Sequence, residues 1–248
     1  MDNTQRFGNR VDNYVKYRPG YPKEVLRFLS ETKRFNPDWK VADIGSGTGI
    51  STALFLDNGN TVYAVEPNDP MRQKAEDLLD SNPAFISVSG TAENTTLQSA
   101  SIDLIVAGQA FHWFNPTAAK KEFTRILRPG GAIALMWNER QKYSDFEKAY
   151  EDLLQTYGTD YKDVNHSNIT EKEIGAFFQP APFQFRMTDH RQTFDWERLK
   201  GRLLSSSYIP LEPSDIYEKM IKRLKEIFDS HQQGGVVYFN YQTKVYIA

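Results

Sequence analysis

Val41-Ala42-Asp43-Ile44-Gly45-Ser46-Gly47-Thr48-Gly49-Ile50 is the stretch on which the architecture turns. Four residues of strand composition run directly into a loop with glycine at alternate positions, and 50–56 then read as a helix. Glycine tolerates positive φ and lets a ligand approach the main chain closely, as a tight strand-to-helix turn beneath a nucleoside requires. Ligands of open α/β sheets bind beyond the carboxyl ends of the strands, and this loop sits at such an end. The chain then alternates. Strands are expected at 61–65, 85–88 and 102–107, with a helix at 70–79. A further helix is expected at 116–127, opened by Pro116, with Ala119, Phe123, Ile126 and Leu127 at helical spacing. Pro129-Gly130-Gly131 should stop that helix before a strand at 132–137. This order predicts a parallel sheet wrapped by helices.

A helix opened by Pro22 is expected over 21–35. Beyond residue 138 the character changes. Helices are expected at 143–157 and 170–178, joined by an aromatic, polar connection, and strands at 183–188 and 236–247. In the last, Val237, Phe239 and Tyr241 alternate with polar residues and Val245 and Ile247 fall in register, as in an antiparallel edge.

Composition narrows the function classes. A chain of 248 residues can bury one α/β core with a modest lid. Its 30 basic and 32 acidic residues give a net charge of −2, without the basic excess that neutralises nucleic-acid phosphates. With no cysteine there are no disulfides, thiolate nucleophiles or Cys-ligated zinc. The four histidines (His112, His166, His190, His231) form no HxH or HxxxH pair, so no metal is expected. The amino terminus is polar, and no run approaches the roughly 20 apolar residues that span a bilayer. The expectation is a cytoplasmic protein that engages neither membrane nor nucleic acid.

The glycine spacing separates two nucleotide chemistries. A dinucleotide fingerprint is G-x-G-x-x-G, and aligning Gly45 and Gly47 to it leaves Ile50 at the third glycine position. Gly49 gives G-x-G-x-G instead, with Asp43 two positions before the first glycine. A pyrophosphate cradle has little use for a carboxylate there, whereas a cationic amino-acid ligand does. A plain glycine-rich turn with no ligand is the bland reading of the same residues. Glu66 closes the second strand, where an acid commonly accepts from ribose hydroxyls; taken alone it would be a solvated loop carboxylate.

These residues resemble the class I S-adenosylmethionine-dependent methyltransferases, and more narrowly the small-molecule, methyltransferase type 11 branch that includes trans-aconitate methyltransferase-like proteins. Five pieces carry the likeness in order: Asp43 to Gly49; Glu66-Pro67-Asn68 followed by Met71; Gly90-Thr91-Ala92-Glu93; Ser101-Ile102-Asp103-Leu104 leading to Ala110-Phe111-His112-Trp113-Phe114; and Leu127-Arg128-Pro129-Gly130-Gly131. The likeness spans roughly 6–138 and is weaker in the carboxyl-terminal hundred residues. It implies a Rossmann-like, mostly parallel seven-stranded sheet with helices on both faces, an antiparallel last strand and a helical lid. It also implies one domain over 1–248: a cap segment at 1–36, a cofactor-binding core at 37–140, a lid and substrate region at 141–235, and a final strand at 236–248.

The implied cofactor is S-adenosyl-L-methionine. Its expected contacts are Asp43, Gly45, Ser46, Gly47, Thr48, Gly49, Glu66, Pro67, Met71, Thr91, Ala92, Glu93, Gln109, Ala110 and Trp113. The expected substrate residues are Tyr14, Tyr17, Arg18, Tyr21, His112 and Trp113. The tyrosines and Arg18 sit in a segment broken by Pro19 and Gly20, which cannot form one amphipathic helix; packing of the leading helix is the competing explanation. The acceptor is expected to be a small molecule methylated on oxygen or nitrogen. A hydroxyl or amine acceptor needs a base, and among the histidines only His112 lies at the carboxyl end of a central strand. His112 could equally shape the pocket without moving a proton. A carboxylate acceptor needs no base, and Arg18, Arg140 or Arg202 could grip it. The competing functions are an NAD(P)-dependent oxidoreductase, an RNA or protein methyltransferase, and a catalytically silent S-adenosylmethionine-binding module. A monomer or weak homodimer is expected.

Overall fold

The computed structural model describes residues 16–159, 170–206, 208–210, 212 and 214–248. In chain order the elements are α1 (Glu24–Lys33), β1 (Val41–Ile44), α2 (Ile50–Asp57), β2 (Val62–Val65), α3 (Asp69–Leu79), β3 (Phe85–Val88) and β4 (Ile102–Gly108). A 3-10 turn (Phe111–Trp113) precedes α4 (Pro116–Ile126) and β5 (Leu127–Arg140). Then come α5 (Asp145–Tyr157), α6 (Glu171–Phe178), β6 (Gln184–Phe194), α7 (Trp196–Leu204), α8 (Asp215–His231) and β7 (Val237–Ile247). Seven strands form one sheet in the order β3-β2-β1-β4-β5-β7-β6. The first five pair in parallel, and β7 is antiparallel to both its neighbours.

Successive strand residues face opposite sides of the sheet, so a strand buried on both sides is apolar throughout. Val41 and Leu104 pack under α1 and α2 with Val25, Phe28, Leu29 and Phe55. Ala42, Ile44 and Ile105 pack on the other face with Phe123, Ile126, Phe177 and Phe178 from α4 and α6. Asp43 is the one acid on the otherwise apolar β1.

Three expectations are corrected. β7 is not an edge strand; it lies between β5 and β6, and β6 forms the edge. Alternating polarity reports one solvated face, which an interior antiparallel strand shares with an edge strand. β5 is not confined to 132–137. It begins at Leu127 and passes through Pro129-Gly130-Gly131, where Gly130 takes φ +84° and the pairing to β4 shifts register. Helix α4 accordingly ends at Ile126.

Beyond Arg140, which pairs with Tyr241, β7 continues against β6 alone as far as Val237. This two-stranded ribbon overhangs the carboxyl end of the parallel strands. It carries a third core with α5, α7 and α8: Phe146, Tyr150, Leu199, Leu203, Met220, Leu224, Phe228, Phe239 and Tyr241. Among the described residues, no helix is long and apolar enough to cross a membrane.

Candidate functional site

The glycine loop joins β1 to α2 with Gly45, Gly47 and Gly49 at φ +68°, +57° and +87°. A Cβ at Gly45 would stand 2.6 Å from the Cβ of Ala110, and one at Gly49 would stand 2.5 Å from Leu79 Cδ1. The loop is therefore tight against the strand-end residue on one side and α3 on the other. Met71 opens α3 with its sulfur 3.5 Å from where a Gly47 Cβ would be, and its backbone N–H donates to the Asn68 cap.

Asp43 is fully buried at the end of β1. The hydroxyls of Ser51 and Thr52 both donate to its Oδ2 at 2.7 Å, while Oδ1 is buried with no hydrogen-bond partner among the described residues. Burial pushes this carboxyl up to about 6, against the pull of the two hydroxyls. An anionic oxygen without a donor is costly in a dry interior, so this atom suits a cationic or donating ligand group. Glu66, buried at the end of β2, accepts from the Gly47 N–H through Oε2 and from the Asn68 N–H through Oε1, both at 2.8 Å. Burial raises its pKa too, opposed by those two N–H groups. Each carboxylate oxygen has two acceptor sites, so both retain capacity for a vicinal diol. Pro67, half-buried, directs the chain from Glu66 to the Asn68 cap. Ser46 Oγ and Thr48 Oγ1, both buried in the loop, also lack partners among the described residues.

Thr91, Ala92 and Glu93 form a turn closed by paired backbone hydrogen bonds between Thr91 and Asn94. Ala92 is buried in the same apolar cluster as Ile44 and Val65, and Glu93 Oε1 accepts from the Asn115 N–H ahead of α4. Gln109, at the end of β4, takes φ +56°, a strained conformation for a residue with a side chain. Its Nε2 donates to the Asn138 carbonyl at 3.2 Å and its Oε1 is buried without a partner. His112 and Trp113 follow on the 3-10 turn with their rings 4.8 Å apart, Trp113 36% exposed. Loop, β2 end, turn and β4 end thus gather along the carboxyl edge of the parallel strands.

The expected substrate residues divide. Tyr14 lies outside the described residues. Tyr21 places its hydroxyl against Gly108 at the end of β4. Tyr17 is buried against α7, where a Cβ at Gly201 would meet its ring. Arg18 donates to Ser205 through Nε and Nη2. The leading segment therefore bridges the strand ends and the helices on the ribbon. Its backbone is held there by Asn138, whose Nδ2 donates to the Gly20 and Pro19 carbonyls.

That contact fixes a chain of protons not legible in the sequence. With Nδ2 committed, Asn138 Oδ1 must face Thr243, and the Thr243 hydroxyl donates to it at 2.6 Å. Thr243 Oγ1 also lies 3.3 Å from His190 Nδ1, so Nδ1 carries the proton and donates. His190 Nε2 is then a lone-pair acceptor, buried without a partner among the described residues, and burial lowers the pKa of the ring. His190 lies on β6, and its residue type alone gave no signal. Its register opposite Tyr241 on an overhanging ribbon is a property of the fold.

The methyltransferase domain family matches residues 42–135. An uncharacterized methyltransferase from Geobacillus sp. (strain WCH70) is 31% identical over 158 residues, 60% of this chain and 73% of that protein. An uncharacterized methyltransferase from Mycobacterium bovis is 28% identical over 236 residues, 93% of this chain and 88% of that protein. Among solved structures, a putative type II methyltransferase from Anaeromyxobacter dehalogenans superposes with TM-score 0.64 at 18% identity, covering 94% of this chain and 97% of that one. An S-adenosylmethionine-dependent methyltransferase from Thiobacillus denitrificans, crystallised with S-adenosyl-L-homocysteine, has TM-score 0.53 at 14% identity and covers 96% of each chain.

Proposed function

Because the chain belongs to the class I S-adenosylmethionine-dependent methyltransferases, we propose that it methylates an oxygen or nitrogen, a carboxylate oxygen included, of a small molecule. The observation that carries the site assignment is Asp43: a buried carboxylate with one saturated and one orphaned oxygen, at the foot of three positive-φ glycines. S-adenosylmethionine would supply a methyl on a sulfonium, displaced in line by the acceptor without a metal. The residues present fit that donor. Asp43 Oδ1 would take its ammonium group and Glu66 its ribose hydroxyls, while Met71 and the 91–93 turn would border the adenine. Gln109 and Ala110 would flank the methionyl end.

In this reading the protein contributes chiefly by positioning, which can supply on the order of 7–11 kcal/mol. Residues 1–36 act as a cap, 37–140 as the donor core and 141–235 as the lid and acceptor region, closed by the strand at 236–248. His112 orients the acceptor or takes its proton. Near-neutral charge supports a small acceptor over RNA. Asp43→Ala and Glu66→Ala should each weaken S-adenosylhomocysteine binding by about tenfold or more, roughly the 1.4 kcal/mol per decade expected for one lost hydrogen-bonded contact. Calorimetry on folded variants is the check, and wild-type affinity in both removes the basis of the assignment.

A further inference from the structure

Of the three arginines that sequence leaves as candidates, one differs from the others in its surroundings. Arg140, at the end of β5, pairs with Glu151 at 2.5 Å, and Lys142 reaches the same carboxylate at 2.7 Å. Arg202, on α7, is buried, and among the described residues no carboxylate pairs with it. Its Nη1 donates to Ser205 Oγ at 3.3 Å, the Tyr241 phenol lies within interacting reach of the guanidinium, and its Nε is buried with no acceptor among the described residues. Ser205 can do no more: it donates to the Arg202 carbonyl and already accepts from Arg18 Nε at 3.2 Å as well. Two guanidiniums thus converge on one saturated hydroxyl.

The phenols of Tyr241, Tyr150 and Tyr208 surround Arg202. A phenol is neutral at pH 7, and burial pushes Tyr150 higher still, up to about 12. None of them balances the charge. Among the described residues, Tyr150 OH and Ser206 Oγ are also buried without partners. A buried cation with an unfilled Nε, the orphaned Tyr150 phenol near it and the orphaned Ser206 hydroxyl four residues along the chain, is the complement of a small anion.

We propose that Arg202, with Tyr150 and Ser206, forms an anion pocket that anchors a carboxylate of the methyl acceptor. The proposal rests on the methyltransferase reading above. The Nε–Nη2 edge of a guanidinium matches the two oxygens of a carboxylate, and the hydroxyls supply further donors. The pocket abuts Tyr241 of β7, two strand spacings from β4, or about 10 Å. The anchored carboxylate is therefore a different group from the one that meets the methyl at the β4 end. The acceptor class is a small molecule with a carboxylate at one end and a nucleophilic oxygen or nitrogen, a second carboxylate included, at the other.

The test uses the full chain saturated with S-adenosylhomocysteine, whose binding is measured first by calorimetry. Benzoate and glutarate are then titrated against benzamide and glutaramide, with inorganic phosphate as a separate arm. The carboxylates should bind about tenfold or more tightly than the amides, and Arg202→Met should lose that advantage while S-adenosylhomocysteine affinity stays within about twofold. Tyr150→Phe and Ser206→Ala remove single hydroxyls without changing side-chain bulk appreciably, and each should weaken carboxylate binding about threefold. They decide the matter if Arg202→Met does not fold. Equal binding of acid and amide, preference for phosphate, or carboxylate affinity unchanged in the variants overturns the pocket. Failure to bind S-adenosylhomocysteine at all sinks the methyltransferase reading instead, so the two failures are distinguishable.

Discussion

The two ends of the site are built by different means. The proposed donor side, from β1 to β4, is made largely of backbone: three left-handed glycines, a strained Gln109 and two buried acids whose partners lie within about twenty residues of chain. The proposed acceptor side is made of side chains drawn from 17–21, 138–151, 190, 202–206 and 241–243, brought together by the β6–β7 ribbon and α7. A backbone cradle is specified by small residues at fixed spacing and tolerates little change. A side-chain pocket on an overhanging ribbon can change its chemistry one residue at a time.

If that contrast is right, mutations should separate along it. The largest effect is expected from Gly45→Val. Its Cβ would strike Ala110 Cβ, which cannot rotate away, and φ +68° is unfavourable for a branched residue. S-adenosylhomocysteine affinity should fall by about a hundredfold or more, worth roughly 3 kcal/mol; a valine variant that binds within about threefold by calorimetry would break the account of the donor side.

Titration comes next in size. Asp43 has its folded pKa raised from 3.8 to about 6, so the folded protein holds more protons than the unfolded chain between those values. Stability from this site is greatest at low pH and is lost as pH rises through the window, by about 3 kcal/mol in all. Glu66 shifts in the same direction. A ligand cation at Asp43 favours the charged form and reverses this effect. S-adenosylhomocysteine should bind more tightly as pH rises from about 5 to about 7, with proton release seen as buffer-dependent heat. Affinity that is flat or stronger in acid would separate Asp43 from the ammonium.

The smallest effect is expected from Thr243→Val on the acceptor side. Loss of the hydroxyl breaks the Asn138–Thr243–His190 chain. Nitrogen chemical shifts of His190 should change from one tautomer, protonated at Nδ1, to a mixture, with donor affinity within about twofold. A wild-type ring already mixed would contradict the assigned chain.

The proposed donor side could be drawn from sequence because its chemistry is local. Asp43, the alternating glycines and Glu66 belong to one βαβ unit, and the roles proposed for them follow from the strand-to-helix turn. The parallel sheet followed from the same alternation. The interior position of β7 did not, since its alternating polarity fits either a covered or an uncovered edge. α7 and α8 fall in the expected lid region, which carries no helix expectation there, although Tyr217, Met220, Leu224, Ile227 and Phe228 on α8 keep helical spacing behind a Ser214 cap. Arg202 could be named from sequence but not chosen, because the lack of a counter-ion for it among the described residues depends on where Glu151 and Ser205 fall in space. His190 and Tyr150 gave no signal at all. Their meaning comes from burial and orphaned atoms, which are tertiary facts.

The antiparallel insertion of β7 between β5 and β6 has a consequence for how such an enzyme can diversify. Because the overhang from Val237 to Asn240 pairs with β6 alone, it can be lengthened, shortened or re-sequenced while the parallel strands keep their alignment. Selection for a new acceptor can therefore act on this ribbon and leave the machinery of methyl donation inherited intact.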